Sequence, residues 1–329
     1  MNLATNYMGL ALRNPLVASA SPLNGELANL RELEDAGAAA VVLPSMFAEQ
    51  IAAEDHRHHR LRSAGIDSSP EASAYFPPGA LNDQASERYL ELIRSAREAV
   101  DIPVIASLNA ASLDDWVDYA AQVQQAGASA LELNIYFIAA DLALGGREVE
   151  QRYLGIVRAV KAQVSIPLAV KLSPYFSALG SMAVELGQAG ADALVLFNRF
   201  YQPDIDVGRL AIRNDLDFSQ STEMRLPLLW LAVLHGRVKP SLAASTGVNT
   251  VDDVVKYLLA GADVVMTTSA LLVHGICHMR HLLEGLEDWL EQRQLQSLEP
   301  IRGLLGQRNI SDPSVYERAN YLQILGNYR

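Results

Sequence analysis

The chain has 329 residues, half of them apolar, a net charge of -12 and a single cysteine, Cys277. The acidic balance leaves no basic face for nucleic acid or an anionic membrane, and one cysteine excludes both an internal disulfide and an all-cysteine metal or iron–sulfur site built by this chain alone. No apolar run reaches the roughly 18 residues of a membrane span and no basic-then-apolar leader opens the chain, so a soluble, cytoplasmic protein with a large core is expected.

One internal repeat organises the chain. DAGAAAVVL (35–43), QAGASALEL (125–133), QAGADALVL (188–196) and LAGADVVMT (259–267) share one pattern: a helix end, a glycine, then a short apolar strand. Gly37, Gly127, Gly190 and Gly261 suit the left-handed position just past a helix C-terminus. Between these repeats lie strands of a second kind, NPLVASAS (14–21), IPVIASLNA (102–110), IPLAVKL (166–172) and SLAASTG (241–247). Interleaved, the two sets predict strands at 16–21, 40–46, 103–109, 130–136, 167–172, 193–198, 241–246 and 263–268. Their nearly continuous apolar character fits a parallel sheet covered on both faces.

Three-to-four-residue apolar spacing predicts helices in the gaps, over 26–36, 86–100, 113–125, 148–164, 177–188, 226–235, 251–259 and 277–292. Alternating β and α eight times is the signature of an α/β (β/α)8 TIM barrel, read here as one domain over 1–329. The first strand is not followed by the G-x-G-x-x-G turn of a Rossmann fold. Two predicted connections, 48–85 and 199–225, leave C-terminal strand ends and are long enough to be lids or binding loops. The tail 293–329 is expected to pack across the barrel or against a neighbouring subunit.

Polar residues inside these strands mark the candidate site. Lys171 sits in the middle of the buried strand LAVKL, where an ammonium needs a carboxylate, a Schiff base or an electron-rich ligand to offset its desolvation. Asn134 and Asn198 end two other apolar strands, and the three side chains suggest one pocket at the catalytic face of the barrel. Two amides and a cation suit a flat ligand with carbonyl and ring-nitrogen acceptors. The turns after strands seven and eight carry Ser245, Thr246, Gly247, Thr268 and Ser269, whose hydroxyls and backbone can surround a phosphate. No resident metal is expected. His56, His58 and His59 in EDHRHHR (54–60) read either as a metal or anion site or as an exposed loop of mixed charge. Arg199 either receives a substrate carboxylate or pairs with Asp204 or Asp206.

The segments NPLVASASPL (14–23), ELNIYF (132–137), LAVKLSPYF (168–176), LVLFN (194–198), LAASTGVNTVDDVVKYLLAGAD (242–263) and TSAL (268–271) resemble the dihydroorotate dehydrogenase family, which includes the catalytic barrel of dihydropyrimidine dehydrogenases. The resemblance runs nearly end to end. It implies an FMN-dependent oxidoreductase acting by hydride transfer to flavin N5, on dihydroorotate in pyrimidine biosynthesis or on a related small ring. It also implies a homodimer and, since no second-cofactor motif is present, a separate electron-transfer partner. By the same resemblance Lys171 lies against the N1/O2 edge of FMN, Asn134 contacts flavin and substrate, and Asn198 contacts the substrate. Ser245, Thr246, Gly247, Thr268 and Ser269 hold the phosphate, while Ser19, Ala20, Ser21 and Asn109 neighbour the cofactor.

The departures are as informative. Phe137 stands where the family has its Cys or Ser base, Ala139 where it has a substrate-binding Asn, and Pro44 where many members have a lysine. None of these side chains can take a proton or hold a carboxylate. The candidate replacements are a histidine of the connection 48–85 and Tyr136, the latter either as an acid or as an aromatic wall over the flavin. Two further readings stay open: a flavin-binding electron-transfer or regulatory protein without dihydroorotate activity, and a Schiff-base lyase using Lys171.

Overall fold

The structure, a computed structural model, describes residues 1–47, 84–110, 112–135, 137–199, 203–213 and 217–317. An antiparallel hairpin comes first, β1 (Thr5–Tyr7) and β2 (Leu10–Leu12), and sequence periodicity does not predict it. Eight parallel strands then close a barrel: β3 (Leu16–Ala18), β4 (Ala40–Phe47), β5 (Val104–Asn109), β6 (Ala130–Asn134), β7 (Leu168–Leu172), β8 (Ala193–Leu196), β11 (Ser241–Ala244) and β12 (Val264–Thr267). They neighbour one another in chain order, and β12 pairs with β3 to close the ring. Seven fall within the spans read from sequence, and β4 runs one residue beyond its span, to Phe47.

The helices match as closely. They are α1 (Leu27–Asp35), α2 (Gln84–Ala99), α3 (Leu113–Gln125), α4 (Gly146–Gln163), α5 (Leu179–Ala189), α6 (Arg225–Leu234), α7 (Val251–Ala260) and α9 (His278–Gln292), with a short unpredicted α8 (Ser269–His274). Gly37, Gly127, Gly190 and Gly261 all take positive φ, from 96° to 112°, as their place after a helix requires.

Side chains along the barrel strands alternate between two cores, with one interruption in β4. Leu16, Val41, Val104, Leu131, Leu133, Leu168, Val170, Leu194, Leu242 and Val265 face outward, against the helices. Val17, Ala40, Val42, Ile105, Ala130, Ala169, Ala193, Val195, Ala243, Val264 and Met266 fill the interior. The small alanine side chains leave room in the lower interior for the hairpin, whose Tyr7 and Met8 join the inner cluster from the N-terminal mouth. Met8 N–H donates to Ser241 Oγ at 3.0 Å and Thr5 Oγ1 to the Asp263 carbonyl at 2.9 Å, both at the starts of their strands. The hairpin therefore plugs the bottom of the barrel.

The tail packs across the same end. Leu298 and Ile301 are buried, and the N–H groups of Gly303, Leu305 and Gln307 donate to the carbonyls of Leu258, Leu259 and Ala232, at the ends of α7 and α6. Within the long connection 199–225 a second hairpin forms, β9 (Asp204–Asp206) with β10 (Ala211–Arg213). The connection 48–85 falls largely outside the described residues, and His56, His58 and His59 with it.

Candidate active site

Because each strand alternates, the residues at its C-terminal end are fixed once the apolar pattern below them is fixed. On β6, Ala130 faces in, so Glu132 and Asn134 do too; on β7, Ala169 does the same for Lys171. Asn134 and Lys171 are direct partners in the parallel register. Asn198 follows β8, and its side-chain N–H donates to Asn134 Oδ1 at 2.5 Å. The three polar groups read as one pocket from sequence are thus brought to one place.

β4 breaks the alternation. Pro44 has no N–H for the ladder, and the pairing of β4 with β5 shifts register between Val42 and Ser45. Val42 belongs to the inner core, yet it is Ser45, three residues on, that reaches inward to Ser107 Oγ at 2.7 Å. Pro44, which the resemblance sets at the family's lysine, offers no ammonium here, and beside it the side chain that points inward is Ser45. Asn134 donates a longer bond to Ser45 Oγ, 3.4 Å, so Ser107, Ser45, Asn134 and Asn198 form one polar chain across four strands.

Lys171 is buried, with its ammonium 3.7 Å from Glu132 Oε1 and 3.5 Å from Ser19 Oγ. The carboxylate offered above as one way to offset its desolvation exists, and it is Glu132. The sequence carried a signal for it: Glu132 is two residues before Asn134 on an aliphatic strand, hence on the same face.

A cavity of about 190 Å³ opens beside Lys171, walled by Ser19, Ala20, Asn198 and the turns after β11 and β12. Ser245, Thr246, Gly247, Thr268 and Ser269 all line it. Thr246 and Gly247 both take positive φ, 80° and 74°. A side chain at Gly247 would meet the Gln220 carbonyl at 2.8 Å, so this position needs glycine, whereas Thr246 adopts a conformation that β-branched residues avoid. The turn is held by Tyr257, whose hydroxyl donates to the Thr246 carbonyl at 2.6 Å, and by the Thr246 hydroxyl on the Phe197 carbonyl at 3.3 Å. Sequence reasoning missed Ser219, which enters from the connection after β8. Its hydroxyl accepts from Gly247 N–H at 3.2 Å and donates to Ser269 Oγ at 3.0 Å.

Other expectations meet a different outcome. Arg199 pairs with Glu223 at 3.1 Å, not with Asp204 or Asp206, and Asp206 faces Arg209 at 3.8 Å instead. Arg199 nonetheless lines the cavity. Ser21 and Asn109 are buried but do not line it. Phe137 lies under the Arg152 guanidinium, which is 4.3 Å from its ring centre. With Ala139, Val149, Tyr153, Tyr175 and Phe176 it borders a second cavity of about 400 Å³ on the barrel rim. Tyr136, the proposed replacement acid, lies outside the described residues. Among those described, no group of three His, Cys, Asp or Glu side chains is placed to hold a metal ion, and no helix is long and apolar enough to cross a membrane.

The donor set suits a flavin mononucleotide. Hydroxyls and a glycine backbone stand where a phosphate needs them, and an ammonium with two amides stands beside them for the polar edge of a ring.

Comparison with known proteins agrees with this geometry. A family profile described as dihydroorotate dehydrogenase matches residues 2–290. A dihydroorotate dehydrogenase B (NAD(+)) catalytic subunit of Thermoplasma acidophilum is 26% identical over 313 residues, covering 92% of this chain and 98% of that protein. The corresponding subunit of Shouchella clausii is 27% identical over 210 residues, 62% of this chain and 68% of that one. Dihydroorotate dehydrogenase A (fumarate) of Lactobacillus delbrueckii subsp. bulgaricus is 25% identical over 318 residues, 93% and 98%. An eight-stranded parallel barrel with its polar residues gathered at the strand ends, matched over nearly its whole length by that profile, is a dehydrogenase acting on CH–CH bonds, and the chain belongs to the dihydroorotate dehydrogenase family.

Proposed function

We propose that this chain is an FMN-dependent oxidoreductase that exchanges a hydride between flavin N5 and a small unsaturated ring or acid. The observation that carries the reading is the meeting of Lys171, Asn134 and Asn198 at neighbouring strand ends, beside a cavity walled by hydroxyls and glycine. When bound, FMN supplies the two-electron acceptor. Lys171 sets a positive charge where negative charge builds on reduction, which favours the reduced state. Ser245, Thr246, Gly247, Thr268 and Ser269 hold the phosphate end, with Ser219 tying Gly247 to Ser269. Asn134 and Asn198 fix one another, so each presents its remaining amide positions to a ligand in a defined orientation. Arg199, anchored by Glu223, is the cavity's candidate for a substrate carboxylate. Tyr136 is the candidate acid.

A second reading keeps the flavin and drops dihydroorotate. Phe137, packed under Arg152, offers no base, and Ala139 offers no amide. A protein with this site can relay electrons without its own dehydrogenation step. Relatives named as catalytic subunits favour a separate electron-transfer partner in either case. The lyase reading gains no support, because Lys171 is arranged as an ion pair with Glu132.

One experiment separates these readings: the visible spectrum of the purified protein with FMN, then anaerobic addition of dihydroorotate. Flavin bands bleached by dihydroorotate are expected of a dehydrogenase with a rebuilt base. Flavin bands that persist support the electron carrier or another substrate. A colourless protein that takes up no FMN overturns both flavin readings.

A further inference from the structure

Glu132 lies beneath the candidate site on the inward face of β6, with no accessible surface. Neither carboxylate oxygen has a hydrogen-bond partner among the described residues. Its ion-pair partner is Lys171, 3.7 Å away on β7. Two buried phenols feel the same charge. Tyr7 from the barrel plug is raised well above its ordinary pKa by burial first, then by Glu132 and Asp263. Tyr89 is raised by burial and by Glu132 against an opposing backbone bond to Ser107, to which its hydroxyl is committed.

A carboxylate buried this deeply with no hydrogen bonds is poor packing, since an apolar side chain of similar size would fill the space without the desolvation penalty. What it does have is position. Among the described residues Lys171 makes one long hydrogen bond, to Ser19 Oγ at 3.5 Å, and it borders the cavity. A four-carbon stem with one weak tether has several rotamers open to it. The Glu132 charge below selects the one that holds the ammonium at the cavity floor.

We propose that Glu132 is a positioning residue, which holds the Lys171 ammonium in place for the electron-rich edge of the ligand above it. That the ligand is a flavin rests on the function proposed above; the pairing itself does not. Glu132 and Lys171 then act as one unit spanning two adjacent strands. Losing the carboxylate frees the ammonium to leave its place and loosens the grip on the cofactor without touching the phosphate cradle.

The chain has only four lysines, Lys161, Lys171, Lys239 and Lys256, so lysine-selective 15N and 13C labelling of the full-length protein resolves them. The Lys171 signal is the one missing from Lys171→Met. In the wild type its ammonium protons are expected to exchange slowly with water, and its ε-methylene to show a nuclear Overhauser contact with the Glu132 γ-methylene. Glu132→Gln should speed that exchange by about tenfold or more, and Glu132→Asp should restore part of the protection. Unchanged exchange in Glu132→Gln, or no contact in the wild type, overturns the proposal. If Glu132→Gln does not fold, the wild-type contact and Glu132→Asp still decide it. A second arm titrates FMN by fluorescence: Glu132→Gln should bind about tenfold more weakly and Glu132→Asp within about threefold of wild type. FMN affinity identical in all three proteins overturns the positioning role. A protein that binds no FMN in any form sinks the flavin reading instead, and the lysine spectra still settle the pairing.

Discussion

Lys171, Asn134 and Asn198 were legible because a polar residue stands out in an aliphatic strand and the period of two says which way it points. Glu132 obeys the same rule, two residues before Asn134 on the same strand face. Ser45 and Ser219 were harder. Ser45 faces inward only because the Pro44 bulge shifts the alternation by one, and Ser219 arrives from a connection that has no periodicity. Two residues near the site carry predictions. Asp253 is buried at the start of α7; burial pushes its carboxyl up, but bonds from Ser221, Thr250 and the N–H groups of Asn249 and Thr250 bring it below the ordinary value. A depressed folded value means stability that is fully present above the unfolded carboxylate range and lost as pH falls through the folded one. Asp253→Asn should therefore cost about 1–2 kcal/mol at pH 7 in urea unfolding, with the gap to wild type narrowing below about pH 4. Thr246 sits at φ 80° with one 3.3 Å hydroxyl bond in return. Thr246→Gly should raise stability by about 0.5–1 kcal/mol, because relief of left-handed strain worth about 1–2 kcal/mol exceeds the entropy of the added glycine. A loss of stability would show that the hydroxyl bond outweighs the strain.

At the scale of elements, the repeated glycines did most to make the barrel readable. Each marks a helix end, and the chain after it has only a strand's length before the next turn. The two hairpins were not readable in this way. β1 and β2 span three residues each, too short for alternation to register, and β9 and β10 are exposed, so burial imposes no pattern. The first hairpin still matters to the core, because Tyr7 fills the lower barrel that the alanines leave open. Tyr7→Ala should cost about 3–5 kcal/mol, as for other large aromatic truncations. Its hydroxyl is a separate matter: it is fully buried with no hydrogen-bond partner among the described residues. Tyr7→Phe should be neutral or stabilising by about 1 kcal/mol, since it removes a desolvated polar group and keeps the ring. A destabilised Tyr7→Phe would mean that the phenol is satisfied after all, with bound water as the candidate partner.

At the scale of the whole molecule, the barrel divides its work between its ends. The N-terminal mouth is closed twice, by the hairpin and then by the tail, which Arg302 joins through Thr5 Oγ1 at 2.7 Å and Asp263 at 3.7 Å. The C-terminal mouth keeps the serines, threonines and amides and the one buried lysine. Sequence placed the tail on the barrel or on a neighbouring subunit; its backbone bonds to the ends of α6 and α7 place residues 293–317 on the barrel's underside. Separation of the ends makes a prediction about coupling. Leu298→Ala and Ile301→Ala each remove a buried side chain from the underside and should lower stability by about 2–5 kcal/mol. They touch none of the residues around the candidate site. FMN affinity measured well below the unfolding temperature should therefore stay within about twofold of wild type, as distant independent sites behave. Weaker binding at unchanged stability would show that the underside and the site are joined through the barrel interior, with Tyr7 and Glu132 as the first residues to test.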